Sequence, residues 1–281
     1  MAQLSRVCGL WVVRMMGAII AVGFFLFLPW RLAHSLRFYR ALFPERSTWY
    51  ALGCAWRQYQ DFACVYADRL EIDRRPDVVF ERAGEGYLAE ASKAGRGVIV
   101  LMSHFGRWEI GARLLAQKQQ GLTLVMGGQK GGGARAGVDQ DLRGAGVEVV
   151  TIPEGQGQAF DILEALQALR QGGIVSLAAD RAHGDARVLR LPFLGRFAGV
   201  TAAPFALALL SGAPLLTVFS VRLGPRHYRL ISNPPVTLRS ANRGERQAVM
   251  EGAAAAYLAS LHDMVKAYPE QWQTFSKFFV P

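Results

Sequence analysis

The chain has 281 residues, enough for one large domain with a substantial core, and its formal charge of +10 favours anionic partners: nucleic acid, an anionic membrane surface or phosphorylated substrates. Its three cysteines, Cys8, Cys54 and Cys64, show no CxxC spacing and no histidine cluster beside them. This argues against a disulfide framework and against a zinc site, and predicts reduced thiols in a cytosol-facing protein.

In chain order, the first element decides among the anionic partners. From Val7 to Trp30 the sequence is apolar except for Arg14, and Met15 to Trp30 carries no charge. The uncharged part makes about 24 Å of helix, short of a bilayer core, but a start near Val7 with Arg14 snorkelling would span. No small-x-small cleavage site follows, and Pro29-Trp30-Arg31 reads as an interface, so residues 1–34 are expected to be a spanning or re-entrant membrane anchor rather than a cleaved signal peptide. Arg31, Arg37, Arg40, Arg46 and Arg57 follow the segment, which by the positive-inside bias places residues 35–281 in the cytoplasm.

Residues 35–95 read as helical and amphipathic. Trp49, Tyr50, Leu52, Trp56, Tyr59, Phe62, Val65, Tyr66 and Leu70 recur at three- and four-residue steps, the period of one helix face. Core packing accounts for most of them. With Arg57 and Arg69, the aromatic residues also suit a membrane-facing surface for lipid entry.

Beyond residue 95 the pattern alternates. Strands are predicted at 98–102, 122–126, 147–152, 173–178, 215–221 and 228–232, with helices at 110–120, 159–171, 202–211 and 245–268. Such alternation predicts an α/β fold: a single domain with a mostly parallel central sheet flanked by helices. The glycine-rich stretch from Gly127 to Gly137 follows a strand and contains Lys130 and Arg135. It reads as a surface loop. A phosphate cradle is the alternative, although the Gly-Lys-Ser/Thr ending of a nucleotide loop is missing.

Ser103-His104-Phe105-Gly106-Arg107-Trp108-Glu109 comes directly off the strand at 98–102. The carboxyl end of a parallel strand and the first amides of the following helix converge on a crevice, the usual ligand site of α/β folds. Five residues on one ideal helix leave two side chains roughly 140° apart. His104 is therefore expected in the turn, with Glu109 in the helix reaching back. A carboxylate on one imidazole nitrogen fixes the tautomer and leaves the other free to take a proton from a hydroxyl. The same residue types also serve as an ordinary helix start.

A second polar cluster follows the strand at 173–178: Asp180, Arg181, His183 and Asp185, then Leu191-Pro192-Phe193-Leu194-Gly195-Arg196. Here Arg181, Arg187, Arg190 and Arg196 suit a phosphate or phosphopantetheine group, or simply a solvated loop. Anchor, basic balance, His with carboxylate and arginine cluster together describe an enzyme of anionic lipids.

His104-Phe105-Gly106-Arg107-Trp108-Glu109 resembles the His-x4-Asp/Glu motif of glycerolipid acyltransferases, and more closely the His-Phe-Gly-Asn-Trp-Glu of the bacterial late acyltransferases of lipid A biosynthesis, the lauroyl and myristoyl transferases. Gly95-Arg96-Gly97-Val98-Ile99, Pro192-Phe193-Leu194-Gly195, Leu209-Leu210-Ser211-Gly212-Ala213-Pro214 and Tyr268-Pro269-Glu270-Gln271-Trp272 resemble further blocks of that family in the same order. The resemblance implies a membrane-bound enzyme of the bacterial inner membrane with a cytoplasmic catalytic domain. It would transfer a fatty acyl group from an acyl carrier protein thioester, or a coenzyme A thioester, to a hydroxyl of a lipid A precursor or related glycolipid. No cofactor and no metal are implied. His104 would be the general base and Glu109 its orienting partner; Asp180 would organise the acceptor or the arginines, with Arg107, Arg181, Arg187 and Arg190 on the substrate side.

Arg107 stands where the family has Asn, Arg181 where it has Gln, and the region around Val125-Met126-Gly127-Gly128 lacks its Tyr-Arg-Pro segment. These departures predict retained chemistry on another lipid-linked or secondary-metabolite acceptor as the alternative. A lipid thioesterase or hydrolase would use the same base on water, but no Gly-x-Ser-x-Gly elbow is present. A non-catalytic membrane-binding protein leaves the His and Glu unexplained. Nucleic acid is disfavoured for want of a docking motif.

Overall fold

Three helices come first: α1, Leu10–Phe27, α2, Pro29–Leu42, and α3, Thr48–Arg74. The α/β body follows with β1, Val79–Ala83, α4, Glu85–Ser92, β2, Val98–Met102, α5, Trp108–Lys118, β3, Leu122–Gly127, α6, Gly133–Gly144, β4, Glu148–Ile152, α7, Gln158–Arg170, and β5, Ile174–Ala178. After these come β6, Val188–Phe193, β7, Arg196–Thr201, α8, Ala203–Ser211, β8, Leu215–Gly224, β9, His227–Ser232, and α9, Arg246–Ala267. A 3-10 turn, Pro269–Gln271, and β10, Phe279–Val280, close the chain. The computed structural model describes residues 9–74, 77–118, 121–127, 133–152, 158–181, 186–275 and 277–280.

The central sheet has seven strands in the order β1-β9-β8-β2-β5-β3-β4. From β8 to β4 every neighbouring pair is parallel, β9 runs antiparallel to β8, and β1 is parallel to β9. The mostly parallel sheet and flanking helices thus agree with the alternation in the sequence. All five residues of β2 are buried, and their side chains divide by parity as a pleated strand requires. Ile99 and Leu101 enter a core shared with α7, α8, α9, α2 and α3, while Val98, Val100 and Met102 enter another with α4, α5 and α6. Because both faces are covered, β2 can be continuously apolar.

Three elements depart from expectation. The segment expected to lead through Leu191–Arg196 to the next helix is a hairpin of β6 and β7, turning at Leu194 and Gly195, both at positive φ (51° and 68°), as a two-residue turn between twisted strands demands. With β10 it forms a separate three-stranded sheet. Residues 133–137 of the expected glycine loop are the start of α6, and 128–132 lie outside the described residues. No break falls at residue 34: the bend is at Leu28, and α2 runs through the expected boundary.

Among the described residues no single helix is long and apolar enough to cross a membrane; α1 and α2 pass that test only together, bent by 89°. Helix α1 lies antiparallel along α3. Its Arg14 pairs with Glu71 at 2.7 Å, Phe25 packs edge-on to Trp56 and Tyr59, and the Cβ of any side chain at Gly17 would stand 2.9 Å from the Ala63 carbonyl oxygen. The opposite face, with Trp11, Ile19, Leu26 and Phe27, is exposed, as is Trp30 at the start of α2. The aromatic face of α3 divides in the same way: Tyr59 and Val65 are buried, whereas Trp49, Tyr50, Trp56 and Phe62 are exposed. Arg69, expected on a membrane-facing surface, is instead buried and paired with Asp141 of α6.

Candidate active site

His104 lies in the turn between β2 and α5, and Glu109 is the second residue of α5. Gly106 makes this turn possible. Its φ is +64°, and a Cβ there would stand 1.9 Å from the Ser220 carbonyl oxygen, which accepts the Arg107 amide at 2.8 Å. Only glycine combines that backbone conformation with so close an approach.

The carboxylate that meets His104 is Asp180, just past the end of β5. Because β5 is the parallel neighbour of β2, the two residues emerge side by side at the same sheet edge. Asp180 Oδ1 lies 2.8 Å from His104 Nδ1, and Oδ2 accepts the backbone N–H of His104 at 2.8 Å and the indole N–H of Trp272 at 2.9 Å. Burial opposes ionisation of Asp180, yet the His104 imidazole beside it, with Arg181 and the Trp272 donor, holds its pKa down at about 2. An ionised Asp180 only accepts, so Nδ1 carries a proton, and in the neutral form of the ring Nε2 has the lone pair. Nε2 has no hydrogen bond to any described residue, and the side chain is 22% exposed. The buried carboxylate, oriented imidazole and open nitrogen match the base-and-orienter part of a catalytic triad.

Glu109 does not orient His104. Its carboxyl is buried, Oε2 has no hydrogen-bond partner, and burial pushes its pKa above the ordinary carboxylate value against the opposing pull of Arg69 and Arg107. His104 stands in the turn and Glu109 in the helix, as the five-residue spacing predicts, but no hydrogen bond joins the Glu109 carboxyl to the ring. Arg107 does not face substrate either. Completely buried, it donates to both carboxylate oxygens of Asp61 at 2.9 and 3.0 Å, to Asp68 at 2.8 Å and to the Asp61 carbonyl at 3.1 Å. A guanidinium so occupied has no surface left for a ligand; it ties the turn to α3. Arg107 therefore carries no information about the acceptor.

Arg181 is half-buried and donates to the Gln273 carbonyl oxygen. Arg187 is exposed and donates to Gln247, and the guanidinium of Arg190 lies 4.0 Å from the centre of the Phe197 ring; neither touches His104 or Asp180. Arg196 lies over Phe279. His183 and Asp185 lie outside the described residues. Sequence reasoning missed the part played by the segment 271–273, which runs against the His104 turn. Gly106 N–H donates to the Gln271 carbonyl at 2.8 Å, Gln273 N–H to the His104 carbonyl at 2.8 Å, and the Gln273 amide to the Gly106 carbonyl at 3.1 Å.

Beside the turn a cavity of about 250 Å³ opens between the sheet and helices α4 and α5. Trp108, Ser103 and Phe105 line it at the His104 end, and Val100, Ser176 and Leu216, which share one sheet register, line it deeper. Trp108 also packs edge-on to the His104 ring, with centroids 6.3 Å apart. The cavity is mostly apolar, which suits a hydrocarbon chain.

The family model described as bacterial lipid A biosynthesis acyltransferase matches residues 46–280. The chain belongs to that family. A search of curated proteins finds no match. Membership makes this protein an acyltransferase acting on lipid A-like acceptors and membrane-associated in bacteria. For such an acyltransferase the arrangement is chemically apt: a base whose sequence neighbours line an apolar cavity can activate a hydroxyl next to a lipid thioester.

Proposed function

We propose that the protein transfers a fatty acyl group from an acyl carrier protein thioester to a hydroxyl of a lipid A precursor or a closely related membrane glycolipid. Coenzyme A is the second candidate donor, and His104 is the general base. The observation that carries this reading is the open Nε2 of His104, backed by Asp180 and flanked by the apolar cavity. The acceptor hydroxyl gives its proton to Nε2 while its oxygen attacks the thioester carbonyl. The tetrahedral intermediate then collapses with cleavage of the C–S bond. The departing sulfur takes the proton back from the imidazolium, leaving an ester and a thiol. Asp180 stabilises the transient imidazolium, and the acyl chain occupies the cavity. No step needs a covalent enzyme intermediate or a metal.

The protein works at the cytoplasmic face of the inner membrane in this reading. The exposed apolar side of α1, followed by Arg31, Arg37, Arg40 and Arg46, suits insertion among lipid chains beneath anionic headgroups. The +10 charge also suits an acidic carrier protein. The family match gives a lipid A precursor precedence over a more distant acceptor.

The test is an assay of purified protein with acyl carrier protein thioester, with and without lipid A precursor. Acylated glycolipid should appear only with the acceptor, and His104→Ala should abolish it while retaining fold and vesicle binding. Free fatty acid released regardless of acceptor would make the protein a thioesterase instead, and undiminished transfer by His104→Ala would falsify the base assignment.

A further inference from the structure

The His104–Asp180 pair is not closed by its own two strands. The third group on it comes from the chain's end: Trp272, one of the most completely buried side chains, whose indole N–H reaches Asp180 Oδ2. We propose that Trp272 is a positioning residue, and that the segment 269–273 is a strap holding the His104–Asp180 pair in its productive geometry. The proposal rests on His104 acting as the base.

Two sets of contacts carry it. On the catalytic side, Oδ2 of Asp180 has two donors, the His104 amide and the Trp272 indole; with the indole gone, every remaining hydrogen bond to the carboxylate comes from His104 itself. The adjacent Gln273 holds both carbonyls flanking Phe105, and Phe105 itself pairs with Trp272 as an isolated antiparallel bridge. On the far side the strap is gripped by the first helices. Tyr39 donates to the Pro269 carbonyl at 2.9 Å and Gln58 donates to the Trp272 carbonyl, whereas the rings of Phe38 and, near the chain's end, Phe278 only pack edge-on to the indole at 4.7 and 4.8 Å. Trp272 thus makes two separable contributions. Its ring fills space between Phe38, Phe193 and Phe278, whereas its N–H acts only on the carboxylate.

The groups facing that carboxylate are His104, Arg181 with Arg31 beyond it, and Tyr257 from α9. Trp272→Phe removes one neutral donor from this set and leaves every charge in place. An Asp180 anion that loses a donor is more basic, so it binds the imidazolium more tightly and raises the basicity of His104.

The experiment compares Trp272→Phe with Phe38→Leu, a change that loosens packing around the same indole without touching its hydrogen bond. Trp272→Phe should lower kcat by roughly ten- to hundredfold, the scale of a lost hydrogen bond to a charged group. KM for the acyl donor should stay unchanged, and the acid limb of the kcat/KM profile should move to higher pH. Phe38→Leu should lower the melting temperature and leave the pH profile in place. In the unaltered protein, the Trp272 indole N–H resonance should shift with pH at the same midpoint as kcat/KM, a reading that holds even where Trp272→Phe fails to fold. Equal effects of both variants on kcat and pH profile, or an indole resonance indifferent to that midpoint, would overturn the proposal. Activity surviving His104→Ala would instead remove the base reading beneath it.

Discussion

Two buried carboxyl groups flank the same turn and their surroundings drive them apart. Asp180 is held at about 2 by the imidazole and Trp272 in spite of burial, and Glu109 is pushed upward by burial. A depressed carboxylate stabilises the fold above its unfolded pKa near 3.8, and that contribution fades as pH falls towards 2. The difference is worth about 2 kcal/mol. Glu109 has the opposite sign: stability is lost as pH rises from its unfolded value of 4.5 through the raised folded one. Asp180→Asn should therefore lower kcat on the order of 10³–10⁴-fold, because an amide forces the wrong tautomer. It should also flatten the melting temperature between pH 4 and pH 2. Glu109→Gln should melt no lower than the parent at pH 8 and keep the midpoint of the kcat/KM profile. A midpoint displaced by Glu109→Gln but not by Asp180→Asn would reverse the assignment.

At the scale of elements, periodicity made β2, β3, β4, β5, β8 and β9 and the long helices legible, because buried parallel strands are short apolar runs and helices repeat at 3.6. Strand order was not legible. Nothing in the alternation says that β5 inserts between β2 and β3, and that insertion is what brings Asp180 rather than Glu109 to His104. The hairpin β6–β7 was hidden because Arg190 and Arg196 suggest a solvated loop, although Leu189, Leu191 and Phe193 alternate towards the core. Arg107 misled for a similar reason: an arginine in a catalytic turn suggests substrate, and its partners Asp61 and Asp68 lie some forty residues earlier on α3. The register Val100–Ser176–Leu216 has its own consequence, since these residues form the deeper part of the cavity. Ser176→Leu should fill that end and shift acyl preference towards shorter chains, with little loss of kcat on the shorter donor. Competition between donors of different length, read by mass spectrometry of the product, checks it; an unchanged preference would place the chain elsewhere.

Across the whole molecule, the first three helices and the α/β body are one packed structure. Helix α1 is tied to α3 by Arg14–Glu71, α3 to the His104 turn by Asp61 and Asp68, and α2 to the strap by Tyr39. The strap also sets the order in which function appears during synthesis. Residues 104, 180 and 272 are far apart in sequence, so the sheet can assemble from the nascent chain while the dyad still lacks its last donor. A chain ending at Tyr268 should retain the central sheet, judged by circular dichroism, and show no acyl transfer; full transfer by that truncation would contradict the reading. Trp272 is thus synthesised after every strand of the central sheet, and the His104–Asp180 pair gains its third partner only once the sheet it stands on is complete in sequence.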